Sequence, residues 1–103
     1  MKAGVLAKRT LFCPEDPERG VTVVLGKPVL RPKTNEYTCT YEIVGGGISR
    51  SRFAAGLDAF QALQLAMRMI GAEIAQIERA SGIHLTFGDL PNSGFPKDGY
   101  SGA

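Results

Sequence analysis

Asp58-Ala59-Phe60-Gln61-Ala62-Leu63-Gln64-Leu65-Ala66-Met67-Arg68-Met69-Ile70-Gly71-Ala72-Glu73-Ile74-Ala75-Gln76-Ile77-Glu78-Arg79-Ala80-Ser81-Gly82 decides the fold. Apolar side chains recur at Phe60, Leu63, Met67, Ile70, Ile74 and Ile77, with spacings of 3, 4, 3, 4 and 3. That is the helical period, and it predicts one long amphipathic helix over 58–81 with this stripe turned inward. Asp58 and Gln61 match a capping box, in which the carboxylate accepts an orphan amide and the glutamine reaches back. Gly82 supplies a left-handed stop.

Upstream of the helix the period changes to two. Tyr37, Cys39, Tyr41 and Ile43 alternate with Thr38, Thr40 and Glu42, the pattern of a half-buried strand. Val21 to Leu25 is β-branched and apolar, and resumes at Val29-Leu30 after a break at Gly26 and Pro28. Val5 to Phe12 reads as a first strand, ended by the Pro14 to Pro17 loop. Gly45-Gly46-Gly47 is a turn, and Ser49 to Ala55 a fourth strand. Arg50 and Arg52 are expected on its open face, and Phe53 and Ala55 on its core face. Ile83, Leu85 and Phe87 alternate with His84 and Thr86 as a short last strand. The expected class is α+β: an antiparallel meander of about four strands packed on one long helix. Residues 1–87 form the domain, and the Gly- and Pro-rich segment 88–103 an irregular tail.

Composition excludes several functions. The chain has 103 residues, 44% hydrophobic and 21% charged, a globular balance sufficient for one modest core. The net charge is only +2, so no strong polyanion binder is written into the total. No apolar run reaches the roughly 18 residues of a membrane span. The apolar stretch from Ala3 to Ala7 falls short of the roughly 7–15 residues of a signal peptide. The expected compartment is the cytoplasm, with Cys13 and Cys39 as free thiols. A Cys13–Cys39 bridge remains open on parity alone.

Catalytic readings fare poorly against the residue inventory. A nucleophilic cysteine or serine would need His84, the sole histidine. Cys39 falls on the core face, and Cys13 sits beside Glu15, Asp16 and Glu18, whose charges disfavour a thiolate. Three Cys and His residues cannot close a four-ligand zinc site. The triple glycine leads into a strand, whereas a phosphate loop must open a helix. The expectation is a chain that is not an enzyme and takes no metal or cofactor.

Two surfaces remain. Residues 1–52 carry a net +4 and residues 53–103 a net −2. Arg50 and Arg52 are therefore candidate polyanion contacts on the open sheet face, with Glu42 their expected cross-strand partner. A sheet followed by a helix is similar, in architecture alone, to the single-stranded-DNA-binding domain of transcriptional coactivators. Stacking aromatics would be needed too, and Tyr37 and Tyr41 point to the core. The second surface is on the helix. Leu65, Met69 and Ala72 fall roughly opposite the main stripe, which makes them the candidate interface. Either a second subunit or the tail, through Leu90, Phe95 or Tyr100, is expected to cover them. Ordinary scattered exposure is the alternative.

The segment Gly56-Leu57-Asp58-Ala59-Phe60-Gln61-Ala62-Leu63 resembles small bacterial domains of unknown function, in which a short meander ends in a Gly-x-Asp-x-x-Gln-Ala-Leu helix. The resemblance supports the fold and implies no activity. The functional expectation is a non-enzymatic module working through protein contacts, as a homodimer or with another protein. Nucleic-acid binding is the alternative.

Overall fold

The computed structural model describes residues 4–96. Five strands form one antiparallel sheet: β1 (Val5–Leu11), β2 (Val21–Gly26), β3 (Val29–Arg31), β4 (Glu36–Gly45) and β5 (Ile48–Gly56). One helix, α1 (Ala59–Ser81), lies on it. β2 and β3 both pair with the same side of β4, β2 along residues 41–44 and β3 along 36–38. They behave as one strand interrupted at Lys27-Pro28, where a proline cannot donate to the ladder. The sheet is thus a meander with β1 and β5 at its outer edges. Among the described residues no helix is long and apolar enough to cross a membrane, which leaves β-barrels untouched.

The β4–β5 hairpin fixes the register of the edge strand. Gly45 pairs with Ile48, so Gly46 and Gly47 alone make the turn. Their φ angles are 58° and 84°, the two positive values a tight primed turn demands and glycine supplies freely. From that turn, pairing runs Ile43 with Arg50, Tyr41 with Arg52, and Cys39 with Ala54. Paired residues share a sheet face, and Cys39, Tyr41 and Ile43 are buried beneath the helix. Arg50 and Arg52 therefore lie on the helix side. Phe53 pairs with Thr40 and stands 59% exposed on the open side. The expected facing of this strand is reversed, because turn geometry sets register and a one-residue slip moves every side chain across the sheet.

The helix ends as expected and is rotated in between. The Asp58 carboxylate accepts the Gln61 amide at 2.8 Å, and the Gln61 side-chain carbonyl takes the Leu57 amide at 2.7 Å. Gly82, at φ 67°, closes the other end by donating its amide to the Glu78 carbonyl at 2.8 Å. The buried positions are Ala62, Ala66, Ile70, Gly71, Ile74 and Ile77. Phe60 is 77% exposed and Met67 39%. The first two turns face the sheet with alanines because the backbones nearly touch there. A Cβ placed on Gly56 would lie 2.5 Å from the Ala62 nitrogen. Large side chains have no room at that approach and roll outward.

The helix packs over β4 and β5. The β1 side of the same face is covered by the segment after the helix. Phe12 and Thr86 exchange both backbone hydrogen bonds at 2.8 Å, so the expected last strand is reduced to isolated bridges, this one and that of Phe87 with Leu90. Ile83 and Leu85 are buried with Leu11, Cys13 and Val21. Beyond them, the Arg9 guanidinium lies 4.0 Å from the Phe87 ring centre and 4.7 Å from that of Phe95. It also donates to the Ser93 carbonyl at 3.2 Å. Tyr100, a proposed tail anchor, lies outside the described residues, as do residues 97–103.

Candidate interaction surface

The two arginines of β5 converge on one helix carboxylate. Glu73 is 13% exposed and accepts from Arg50 Nη1 at 3.2 Å and from Arg52 Nε at 3.3 Å. It also accepts the Tyr41 hydroxyl. Arg50 donates further to Gln76 Oε1 at 2.7 Å. Burial, and then the neighbouring carboxylate, push the Tyr41 hydroxyl well above the ordinary phenol value. The expected partner, Glu42, instead faces Ser51 on the open side. Sequence reading passed over Glu73, yet a signal existed. It flanks the helix arc that carries Ile70, Ile74 and Ile77 on one side, as Glu78 does on the other.

The candidate interface residues sit on one flank of α1. Leu65 and Met69 are half-buried against the core, and Ala72 is exposed. Gln76, on the same flank, is tied to β5 through Arg50. Gly71 lies about 200° round the helix from Met69, and there a Cβ would fall 1.6 Å from the Pro96 carbonyl oxygen. The described part of the tail therefore docks on the flank away from Leu65 and Met69. The flank of Leu65 and Met69 is turned toward β5, as the Gln76–Arg50 bond shows, and β5 pairs with β4 alone among the described residues.

Further apolar side chains gather where β5 ends and α1 begins. Leu57 is 78% exposed, with Phe53 and Phe60 beside it in sequence. Val5, Leu6 and Leu30, also exposed, belong to the same end of the sheet by register.

At the opposite end Glu15 joins the first loop to the segment after the helix. Its carboxylate meets His84 Nδ1 at 2.7 Å and the His84 amide at 3.3 Å, and accepts the Cys13 thiol at 3.3 Å. The hydrogen bond with His84 and then that from Cys13 hold Glu15 down at about 2. The same bond raises His84. Sequence offered no signal for this pair, since the partners are separated by 69 positions. Both cysteines are buried free thiols, and burial raises Cys39.

No curated protein and no solved structure matches the chain. One family model does, described as Domain of unknown function (DUF6968), over residues 7–97. The chain belongs to that family.

Proposed function

We propose that this member of the DUF6968 family is a non-enzymatic module that works by protein contact, its partner being a second copy of itself. One observation carries the reading: among the described residues the edge of β5 is unpaired, and the half-buried helix flank turned toward it is uncovered. An open edge is a template for a further strand. Antiparallel pairing of β5 with its copy about a two-fold axis would join the two sheets. The two α1 flanks would then meet on the same face, completing the burial of Leu65 and Met69, with Ala72 allowing close approach. An axis at Phe53 places the two Phe53 rings together, and sets Arg52 opposite the copy's Ala54, away from the copy's guanidinium.

The arrangement of polar groups supports a non-catalytic role. The Cys13 thiol and the His84 imidazole both address Glu15, so the imidazole does not face the thiol. A reducing, cytoplasmic setting fits the two buried free thiols. The nucleic-acid reading has less support, because Arg50 and Arg52 are engaged by Glu73 on the helix side.

Sedimentation equilibrium over a concentration series tests the proposal. Wild-type protein should run as a dimer, and Leu65→Glu with Met69→Lys as a monomer with an unchanged far-UV spectrum. A wild-type monomer at high micromolar concentration would overturn it.

A further inference from the structure

We infer that the cleft between the last turns of α1 and the 91–95 turn binds a small organic monoanion, a one-ring apolar body bearing a carboxylate. The cleft measures about 320 Å³, at the small end of ligand pockets. Gly71, Ile74 and Ala75 line it from the helix, and Pro91 and Phe95 from the turn. These surfaces suit a flat apolar body. Glu78, Arg79, His84, Asn92 and Ser93 supply the polar lining.

What those groups still lack sets the ligand's charge. The Asn92 side-chain carbonyl accepts the Gly94 amide at 2.9 Å, and its NH2 group has no partner among the described residues. His84 spends Nδ1 on Glu15 and keeps Nε2. Arg79 has no partner among the described residues. The lining carboxylate, Glu78, is committed to the Leu85 amide at 2.9 Å. With Nδ1–H bonded to Glu15, the His84 Nε2 accepts in the neutral ring, so the donors that await a partner among the described residues are those of Arg79 and Asn92, and a guanidinium matches a carboxylate by two parallel hydrogen bonds. A bare inorganic anion would leave the apolar walls unused, and a neutral ring would leave the arginine unmet. The inference stands apart from self-association, which uses the opposite flank of the helix.

Amide chemical-shift titration of the full chain tests it, with benzoate, benzamide and inorganic phosphate as probes. Benzoate should give saturable shifts at Gly71, Ala75, Arg79 and Asn92, with affinity at least about tenfold above that of either other probe, a gap of about 1.4 kcal/mol. Arg79→Gln should remove that preference while spectral dispersion is retained. Asn92→Asp keeps the acceptor for Gly94 and replaces the free donor with a negative charge, so it should also weaken benzoate. Benzamide or phosphate binding as well as benzoate would overturn the inference. So would benzoate affinity unmoved by both variants, or no saturable shift at the cleft.

Discussion

Three donors depend on the Glu73 carboxylate: Arg50, Arg52 and the Tyr41 hydroxyl. Removing the acceptor strands the buried Tyr41 phenol and leaves the part-buried Arg50 with Gln76 alone, while the exposed Arg52 turns to water. Glu73→Ala should therefore cost about 2–4 kcal/mol in urea denaturation. A loss no larger than that of an ordinary surface change would mean the cluster is held by packing alone. Thr40 presents the opposite case. Its hydroxyl is buried with no hydrogen-bond partner, so Thr40→Val should be neutral or stabilise by up to about 1 kcal/mol. The Glu15–His84 pair is exposed, and pH is the lever on it. His84 is raised above its ordinary 6.5, so its contribution is complete below that value and fades as pH climbs through the folded pKa. Glu15 is lowered from 4.5 to about 2, so its contribution is complete above 4.5 and fades as pH falls toward 2. Glu78 adds a lesser pull on His84. The stability gap between wild type and His84→Gln should thus be widest between about pH 4.5 and 6.5 and narrow on either side. Urea midpoints that differ by the same amount at every pH would contradict the pairing.

At the scale of elements, Gly71 ties helix to tail. A Cβ there would occupy the place of the Pro96 carbonyl, 1.6 Å away. Gly71→Ala gains about 1 kcal/mol of helix propensity and forces the 91–96 segment off the helix. The helix should survive, while protease cuts the chain after Phe87 much faster than in wild type. Unchanged cleavage would mean that the segment shifts without undocking. Helix caps, the glycine hairpin and the alternation of β4 were all legible, because each is a local pattern with one mechanical reading. The facing of β5 was not. A hydrophobic-in rule places Phe53 inside, whereas the two-residue turn places Arg50 and Arg52 there, and only Glu73, remote in sequence, makes that tolerable. The helix rotation was hidden for a related reason. Size ranked Phe60 and Met67 as core, but the close approach at Gly56 admits only Ala62 and Ala66. The Arg9 stack on Phe87 and Phe95 likewise depends on contacts that no periodicity encodes.

At the scale of the molecule, one layer of helix and tail covers one face of the sheet, while no described residue pairs with the β5 edge or covers the flank above it. If a second copy closes that edge, association is linked to folding, and thermal stability must depend on protein concentration. Each tenfold rise in concentration is worth about 1.4 kcal/mol per dimer, enough to raise Tm by a few degrees in a chain of this size. The Leu65→Glu, Met69→Lys variant should lose that dependence. At low concentration, where wild type is itself dissociated, the two should melt within about a degree or two of each other, since half-buried sites cost little in a monomer. At high concentration they should separate. Phe53→Ser, which acts on the far face of the same edge, should reduce the concentration slope without touching the helix. A wild-type Tm that stays flat across the series, or a double variant that melts far below wild type even at the lowest concentration, would assign Leu65 and Met69 to the monomer's own core instead.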